Sequence, residues 1–189
     1  CGDAHARSLA AAMNLPLYRV SHQEGHIMAG TAGNGELINS KRLLAVHFSG
    51  GTSEILFVKR GQKNYYDIEC TMTGKDLHAG QLVDRVGVSL GLAFPAGPAL
   101  ELLAERAEAG HEIPQLPSSV SKQGFSFSGV ETRAQALIAQ GIAPEAIAFA
   151  VFRVIANTLE KCLLQETKRL DVKDVLLVGG VMANTQIRE

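Results

Sequence analysis

Cysteine is scarce in this sequence, and an excess of charge of either sign is absent. The 189 residues include three cysteines, Cys1, Cys70 and Cys162, an odd number spread along the chain. This pattern indicates neither a disulfide framework nor a thiolate metal cluster, and it fits a reducing cytoplasm. The formal net charge is −1. No overall field therefore attracts nucleic acid, and any contact with RNA has to be local.

Long apolar runs are also lacking. None approaches the ~20 residues that span a bilayer, so we expect no membrane contact. The first residues, 1–5, contain neither an initiator methionine nor a signal-peptide pattern, and we expect a piece of a longer cytoplasmic protein. With 46% hydrophobic and 20% charged residues, the chain can bury one substantial core.

Hydrophobic periodicity and glycine and proline positions predict a mixed α/β chain. Helices are predicted for residues 4–13, 22–32, 80–90, 99–109 and 144–169, and strands for residues 16–20, 43–48, 54–59, 65–71 and 175–178. The three middle strands predict an antiparallel meander. Residues 114–124 are polar and predict a loop, and the glycine-rich residues 30–35 are the best candidate for a domain boundary.

Two glycine pairs follow predicted strands. Ser49-Gly50-Gly51 follows the strand 43–48, and Gly179-Gly180 follows the strand 175–178. Glycines after strands let a phosphate approach backbone N–H groups closely. The second pair favours a nucleotide turn, whereas the first is equally compatible with a plain hairpin turn.

Two histidines four residues apart, His22 and His26, lie on a predicted helix. This spacing puts both imidazoles on one face, where they can share a metal, although such pairs are also found in purely structural roles. Two ligands alone leave a tetrahedral site half filled, which predicts weak binding. The remaining histidines show no ligand spacing and are interpreted as incidental, although His47 neighbours the Ser-Gly-Gly turn: His5, His47, His78 and His111.

The order of a glycine-turn hairpin, helices and a strand–Gly-Gly–helix unit is typical of the actin-like ATPase (ribonuclease H-like) fold. Six colinear segments carry a more specific pattern: residues 20–27, 48–51, 79–85, 90–98, 125–129 and 179–184. They resemble the tRNA threonylcarbamoyltransferase family, also known as the glycoprotease or O-sialoglycoprotein endopeptidase family. The first segment, for example, matches its His-x-Glu-Gly-His motif.

The resemblance implies an α/β, actin-like protein of two lobes, of which this chain holds mainly the second. Residues 1–39 would be a remnant of the N-terminal lobe that carries the His-x-Glu-Gly-His helix. Residues 40–189 would be the C-terminal lobe, truncated at its C-terminus. A divalent metal, iron or zinc, would be held by His22, His26 and an aspartate beyond Glu189.

The same resemblance implies a site for threonylcarbamoyl-AMP or ATP. The expected substrate-binding residues are His47, Phe48, Ser49, Gly50, Gly51, Asp84, Gly97 and Asn184, the last three around the adenosine. A carboxylate accepts from ribose hydroxyls and a glycine permits close approach, which agrees with these roles. The implied reaction is transfer of threonylcarbamoyl to an adenosine in tRNA, with no assigned catalytic residue. Candidate partners are tRNA, a second copy and a related family protein.

Departures from the family pattern leave alternatives open. The family's His-Thr is replaced by Thr52-Ser53, and its paired acids are replaced by Asp76-Leu77. Its Glu is replaced by Gln81, and its Lys by Glu131. A noncatalytic, nucleotide-binding paralogue that acts as a scaffold is therefore the alternative to the enzyme, and a sugar-kinase-like phosphotransferase is a third. A peptidase is discounted, because Glu24 lies about 200° round the helix from His22 and points away from the metal.

Overall fold

The computed structural model describes residues 2–61, 66–107 and 112–188. Its helices are α1 (Gly2–Ala12), α2 (His22–Ala32), α3 (Ala79–Ser89), α4 (Gly97–Ala104), α5 (Ser128–Ala139), α6 (Pro144–Leu170) and α7 (Thr185–Arg188). Short 3-10 helices span Leu37–Asn39 and Gly180–Ala183. None of these helices is both long enough and apolar enough to cross a bilayer.

Six strands form one mixed sheet in the order β4-β5-β3-β2-β1-β6. Their bounds are β1 (Arg42–Phe48), β2 (Ser53–Arg60), β3 (Tyr66–Gly74), β4 (Ser119–Ser121), β5 (Gly124–Ser126) and β6 (Val175–Val178). β1, β2 and β3 are the predicted antiparallel meander. β6 adds to β1 in parallel, with Val46 opposite Leu177 and His47 opposite Val178.

Both faces of β1 are covered, which explains its nearly continuous apolar run. Leu44, Val46 and Phe48 belong to the larger core, with residues of α3, α4, α5 and α6. Leu43 and Ala45 alternate with them and pack with Ile27 of α2 on the opposite face. α2 lies so close to β6 that a Cβ on Gly30 would be 2.9 Å from Leu176 Cδ1.

The long helix α6 is confirmed and forms the centre of the larger core. Pro144 occupies its first turn, and Asp171 ends it in the left-handed conformation with φ +50. Proline suits the first turn because its missing N–H would have no helical partner there. Buried residues such as Val151 and Ile155 recur along the stripe that the sequence predicts.

Three sequence-based predictions are wrong in detail. Residues 16–20 are extended and exposed rather than a buried strand, because Pro16 removes a donor and no strand in the described residues pairs with them. The polar residues 114–124 contain β4 and lead into β5. The predicted helix 99–109 is α4, which begins at Gly97 and ends at Ala104. Residues 108–111, which include His111, lie outside the described residues.

Gly124 explains why a polar segment forms a hairpin here. It has φ +139, and a Cβ at this position would lie 2.1 Å from Thr73 O. β5 pairs with β3 at Thr73 and Gly74, so only glycine allows this approach of the two backbones. The hairpin thereby joins the edge of the main meander.

Candidate metal and nucleotide site

The two predicted histidine ligands lie together at the start of α2. Ser21 caps the helix by accepting from the N–H of Glu24, so that α2 begins with His22. The Nε2 atoms of His22 and His26 are 3.2 Å apart, and their ring centroids are separated by 4.5 Å. The spacing of four residues has therefore placed both imidazoles on one face, as predicted.

His47 joins this pair, which corrects its interpretation as incidental. It follows Ala45 on the α2 face of β1, and its side chain is buried. Its ring centroid is 4.5 Å from that of His26 and 5.8 Å from that of His22. One nitrogen from each of the three rings lies within 4.8 Å of the others. His47 is 21 residues from His26 in sequence, so ligand spacing gives no signal, and only the packing of α2 on β1 reveals the cluster.

The chemistry of this cluster fits a divalent metal. Imidazole nitrogens are ligands for zinc and iron, and they bind in their neutral form. Burial lowers the pKa of His47, and charges on His26 and His22 lower it further, while Glu54 acts in the opposite direction. Nδ1 of His47 is buried, and no described residue offers it a hydrogen bond. The protein therefore holds a buried imidazole, whose Nδ1 has no partner among the described residues, beside two others.

Glu24 has a structural role beside the histidines. Its carboxylate accepts from the backbone N–H of Ser21, which completes a capping box with the Ser21 hydroxyl. The carboxylate is thus engaged with the start of α2. This agrees with the sequence argument that Glu24 does not serve as the base of a peptidase.

A separate cavity of about 370 Å³ lies on the other side of the hairpin turn. It is lined by four of the expected substrate-binding residues, Gly50, Asp84, Gly97 and Asn184. Gly180, from the glycine pair that favours a nucleotide turn, also lines it. Sequence reasoning had not assigned the remaining walls, which are Gly80, Val83, Pro95, Pro98, Glu101, Phe152, Val181 and Ala183. A mostly apolar cavity with a few polar groups is typical of small-molecule sites.

Asp84 and Asn184, which are 100 residues apart in sequence, supply polar groups to the cavity. Asp84 does not pair with Arg85: its Oδ1 accepts from the backbone N–H of Ala96 at 2.8 Å, which fixes the loop before α4. Asn184 is 5% exposed, and its Oδ1 accepts from Ile187 N at 3.1 Å. Its Nδ2 is buried without a partner among the described residues. One anchored carboxylate and one unpaired amide donor therefore face the cavity.

The turn 49–51 follows His47 and contributes Gly50 to this cavity, and α3 packs against the turn. The N–H of Gly80 donates to Ser49 O at 3.1 Å. A Cβ on Gly80 would lie 2.6 Å from both Ser49 O and Gly50 N. The absence of a side chain at Gly80 is therefore what allows the start of α3 to pack directly on the turn.

The other expected substrate-binding residues lie elsewhere around this turn. The Phe48 side chain is fully buried and packs against Phe125 and Phe127. Ser49 sits in the turn, where its Oγ accepts from Gly51 N at 3.3 Å. His47 lies with the histidine cluster. The eight expected residues are thus distributed around the hairpin turn rather than gathered in one cavity.

The residues that depart from the family pattern have structural partners here. Ser53 Oγ accepts from Ala79 N at 2.9 Å, and Gln81 Oε1 accepts from His78 N at 3.3 Å. Both contacts hold the N-terminus of α3. Arg85 forms an ion pair with Glu131 of α5 at 3.0 Å, on a largely exposed surface.

The Asp76 carboxylate accepts several hydrogen bonds. Burial raises the pKa of its carboxyl, but hydrogen bonds from Ser126, Ser128 and the N–H groups of Leu77 and Phe127 outweigh this and hold it well below its usual range. The carboxylate thereby ties the end of β3 to the start of α5.

Two solved structures share the fold of this chain. Full-length HypF, in a phosphate- and nucleotide-bound crystal structure, matches with a TM-score of 0.75 at 14% identity over 96% of this chain and 38% of HypF. HypF of T. kodakarensis matches with a TM-score of 0.73 at 16% identity over 97% of this chain and 33% of that protein. The chain has a mixed α/β fold of the actin-like ATPase class, as predicted.

Comparison of the sequence identifies the family. The chain belongs to the tRNA N6-adenosine threonylcarbamoyltransferase family, whose model matches residues 1–189. The tRNA N6-adenosine threonylcarbamoyltransferase of Archaeoglobus fulgidus is 32% identical over 97% of this chain and 53% of its own length. That of Thermus thermophilus is 33% identical over 100% of this chain and 56% of its own length. The chain thus spans about half the length of these relatives.

Proposed function

We propose that this chain forms part of a metal-dependent transferase that moves a threonylcarbamoyl group from threonylcarbamoyl-AMP to an adenosine in tRNA. The observation that carries this proposal is the cavity lined by Gly50, Asp84, Gly97 and Asn184 in a chain of this family. Four residues from four separate segments, each expected at the nucleotide, line one cavity.

The residues around this cavity suit an adenine nucleotide. The Asp84 carboxylate would accept hydrogen bonds from ribose hydroxyls, while its bond from Ala96 keeps it in place. The Asn184 Nδ2 donor would gain the acceptor that no described residue gives it. Gly97 has only Val83 Cγ1, at 3.9 Å, near the position of a Cβ, so the ligand can approach the backbone closely.

The reaction needs no covalent bond to the protein. The exocyclic nitrogen of the tRNA adenine forms a bond to the carbamoyl carbon, and that nitrogen gives up one proton. The bond from the same carbon to the phosphate oxygen breaks, and its electron pair leaves with AMP. His22 and His26 would hold iron or zinc, which supplies stabilisation of negative charge on the carbamoyl and phosphate oxygens when bound.

A noncatalytic, nucleotide-binding paralogue is the alternative. Glu131 stands where the family pattern has a lysine, and it pairs with Arg85 beside Asp84. This reverses one charge near the nucleotide cavity. In that case the protein would bind an adenine nucleotide and act as a scaffold or partner subunit without transferring the group.

The partners follow from the same proposal. A tRNA substrate would place the protein in the cytoplasm. With a formal net charge of −1, tRNA binding would depend on a local surface or on a second protein, either another copy or a related family member.

Release of AMP tests the proposal. The full-length protein would be incubated with threonylcarbamoyl-AMP in the presence and absence of tRNA, and we expect AMP release and modified adenosine only with tRNA. Restoration of threonylcarbamoyladenosine in cells that lack the ordinary enzyme is the matching test in vivo. Tight binding of the nucleotide with no AMP release would contradict the transferase and support the paralogue.

A further inference from the structure

A second cavity lies next to the nucleotide cavity, and it is lined by residues of α3 and α5 and by Phe94 of the loop before α4. Its volume is about 440 Å³, which is within the range of small-ligand sites. Asp84 lines both cavities, so the two share a wall. We call this second cavity the Phe94 cavity.

Phe94 gives the cavity an exposed aromatic wall. It is 75% exposed, and Val88 of α3, which lines the same cavity, is 49% exposed. A single exposed apolar residue on a protein surface is ordinary. An exposed aromatic ring and an aliphatic side chain in one cavity are more specific, because they form a surface on which an unpaired nucleobase can stack.

Two amide side chains of the cavity each keep one hydrogen-bonding atom for a ligand. Gln81 Oε1 accepts from His78 N at 3.3 Å, while the Gln81 Nε2 donor has no partner among the described residues. Gln135 Nε2 donates to Ser89 Oγ at 2.8 Å, and no described residue donates to Gln135 Oε1. The edge of a base carries donors and acceptors side by side. One free amide donor and one free amide acceptor therefore complement it.

The charges around the cavity favour a base over a phosphate. Arg85 Nη1 donates to both carboxylate oxygens of Glu131, at 3.2 and 3.0 Å, so the guanidinium charge is compensated. Asp84 adds a second carboxylate. Two carboxylates and one paired guanidinium disfavour a phosphate, whereas an uncharged base meets no such repulsion.

We propose that the Phe94 cavity binds an unpaired base of the tRNA strand that carries the acceptor adenosine. The proposal rests on the transferase function proposed above, and it gives the RNA substrate a contact beside the nucleotide cavity. Single-stranded RNA is recognised by stacking on aromatic side chains and by hydrogen bonds to base edges. With a formal net charge of −1, such contacts supply affinity that the overall charge of the chain does not.

Two departures from the family pattern line this cavity. Gln81 stands where the pattern has Glu, and Glu131 stands where it has Lys. Gln81 has a hydrogen-bond donor that a glutamate lacks. Glu131 takes the place of a cation that would attract phosphate. The cavity of this chain is therefore better suited to an uncharged base than the family pattern would be.

An RNA hairpin with the anticodon loop tests the proposal. The full-length protein would be titrated with this RNA and with copies in which one loop nucleotide at a time, other than the acceptor, lacks its base. We expect one abasic position to weaken binding about tenfold, which is within the range for one base stacked on an aromatic ring. Phe94→Ala should weaken binding of the intact RNA by a similar factor. It should also remove the effect of that abasic position, because both changes delete the same contact.

Three further variants serve as controls. Phe94→Tyr keeps an aromatic ring and should retain the affinity for RNA. Gln81→Glu keeps the acceptor for His78 N and loses only the donor, so it should weaken binding of the intact RNA about fivefold and that of the abasic RNA less. Leu164→Ala removes an apolar side chain from a residue of α6 that is 65% exposed, and it should leave RNA binding unchanged. An equal loss of affinity for intact and abasic RNA in Phe94→Ala, or no loss, would overturn the proposal.

Binding of threonylcarbamoyl-AMP separates the Phe94 cavity from the nucleotide cavity. Its affinity should be the same in Phe94→Ala and in the unaltered protein, and circular dichroism checks that the variant folds. Base binding that depends on Phe94 in a protein that releases no AMP would support the base site and contradict the transferase. Release of AMP with tRNA affinity independent of Phe94 would support the transferase and overturn the base site. If Phe94→Ala leaves RNA affinity unchanged but dissociates a complex with another protein chain, the exposed ring belongs to a protein interface and the proposal is wrong.

Discussion

At the scale of single residues, two buried polar atoms that have no hydrogen-bond partner among the described residues lie on opposite sides of the turn 49–51. His47 Nδ1 is near the histidine cluster, and Asn184 Nδ2 is near the nucleotide cavity. An unpaired buried polar group costs about 1–3 kcal/mol of stability. Such a cost is tolerated where a ligand supplies the missing partner, so these atoms identify positions where binding can offset an unfavourable feature of the fold.

Gly97 tests the nucleotide cavity. A Cβ there contacts only Val83 Cγ1, at 3.9 Å, so the fold accepts a side chain while the cavity loses space. We expect Gly97→Val in the full-length protein to weaken binding of an adenine nucleotide by about tenfold or more, equivalent to about 1.4 kcal/mol. Gly97→Ala should have a smaller effect. Calorimetry measures both, and an unchanged affinity in folded Gly97→Val would remove Gly97 from the site.

Asp76 should make stability depend on acid pH. Its hydrogen bonds lower the pKa of the carboxyl in the folded protein, so its contribution is fully present above the ordinary aspartate pKa of about 3.9 and is lost as pH falls below that value. We expect Asp76→Asn to reduce the free energy of unfolding at pH 7 by about 1 kcal/mol, because solvent screens this exposed group.

The pH dependence separates this effect from a general loss of stability. Denaturant unfolding of the protein and of Asp76→Asn should give curves that converge as pH falls from about 4 toward 2. The exposed Asp67→Asn in β3 serves as the control for charge removal. A constant difference between Asp76→Asn and the unaltered protein across this range would contradict the role assigned to the carboxylate.

At the scale of elements, the hairpin of β4 and β5 depends on one backbone position. Gly124 has φ +139, and an added Cβ would lie 2.1 Å from Thr73 O. We expect Gly124→Ala to destabilise the protein by about 2 kcal/mol or more. Gly129→Ala in α5 is the matched control, since no atom lies within 4 Å of its Cβ position and alanine favours a helix. Denaturant unfolding compares the two, and equal stabilities would contradict the steric argument.

The elements with strong periodicity were predictable from sequence. α6 has apolar residues at spacings of three and four, and β1 and β2 flank a glycine turn, so local pattern alone determined them. β5 was not predictable because its pairing with β3 depends on contacts about 50 residues apart. Residues 16–20 show the opposite case: an apolar run predicted a strand, but a strand also needs a partner.

The candidate site was likewise predictable only where the local spacing of residues determines it. His22 and His26 lie one turn apart on a single helix, so their spacing in the sequence was enough to predict that they lie close together. His47 joins them only through the register of β1 and the packing of α2 on its face. The division of the lobes at residues 39 and 40, the identity of the metal and the substrate remain predictions.

At the scale of the whole molecule, the chain covers about half the length of its relatives. We expect the 189-residue chain alone to show neither AMP release nor peptidase activity, because a cleft between two lobes excludes water only when both walls are present. The loss of a single donor of charge stabilisation already raises a barrier by about 3 kcal/mol. AMP release and cleavage of a glycoprotein would be measured side by side, and turnover that disappears in His26→Ala would contradict this expectation.

The alternation of side chains along β1 has an energetic consequence for the histidine cluster and the nucleotide cavity. His47 lies on the face of β1 that packs against α2, Phe48 belongs to the larger core on the opposite face, and the turn that follows contributes Gly50 to the cavity lined by Asp84 and Asn184. If the proposed metal is held beside His47 and the proposed nucleotide beside Gly50, both would contact the same β1–β2 hairpin, which gives a physical route for linkage between them. Linkage is reciprocal: if zinc raises nucleotide affinity by some factor, the nucleotide raises zinc affinity by the same factor. Titrating the full-length protein in both orders measures this factor twice, and a value of one in both would show that the hairpin isolates the two ligands rather than connecting them.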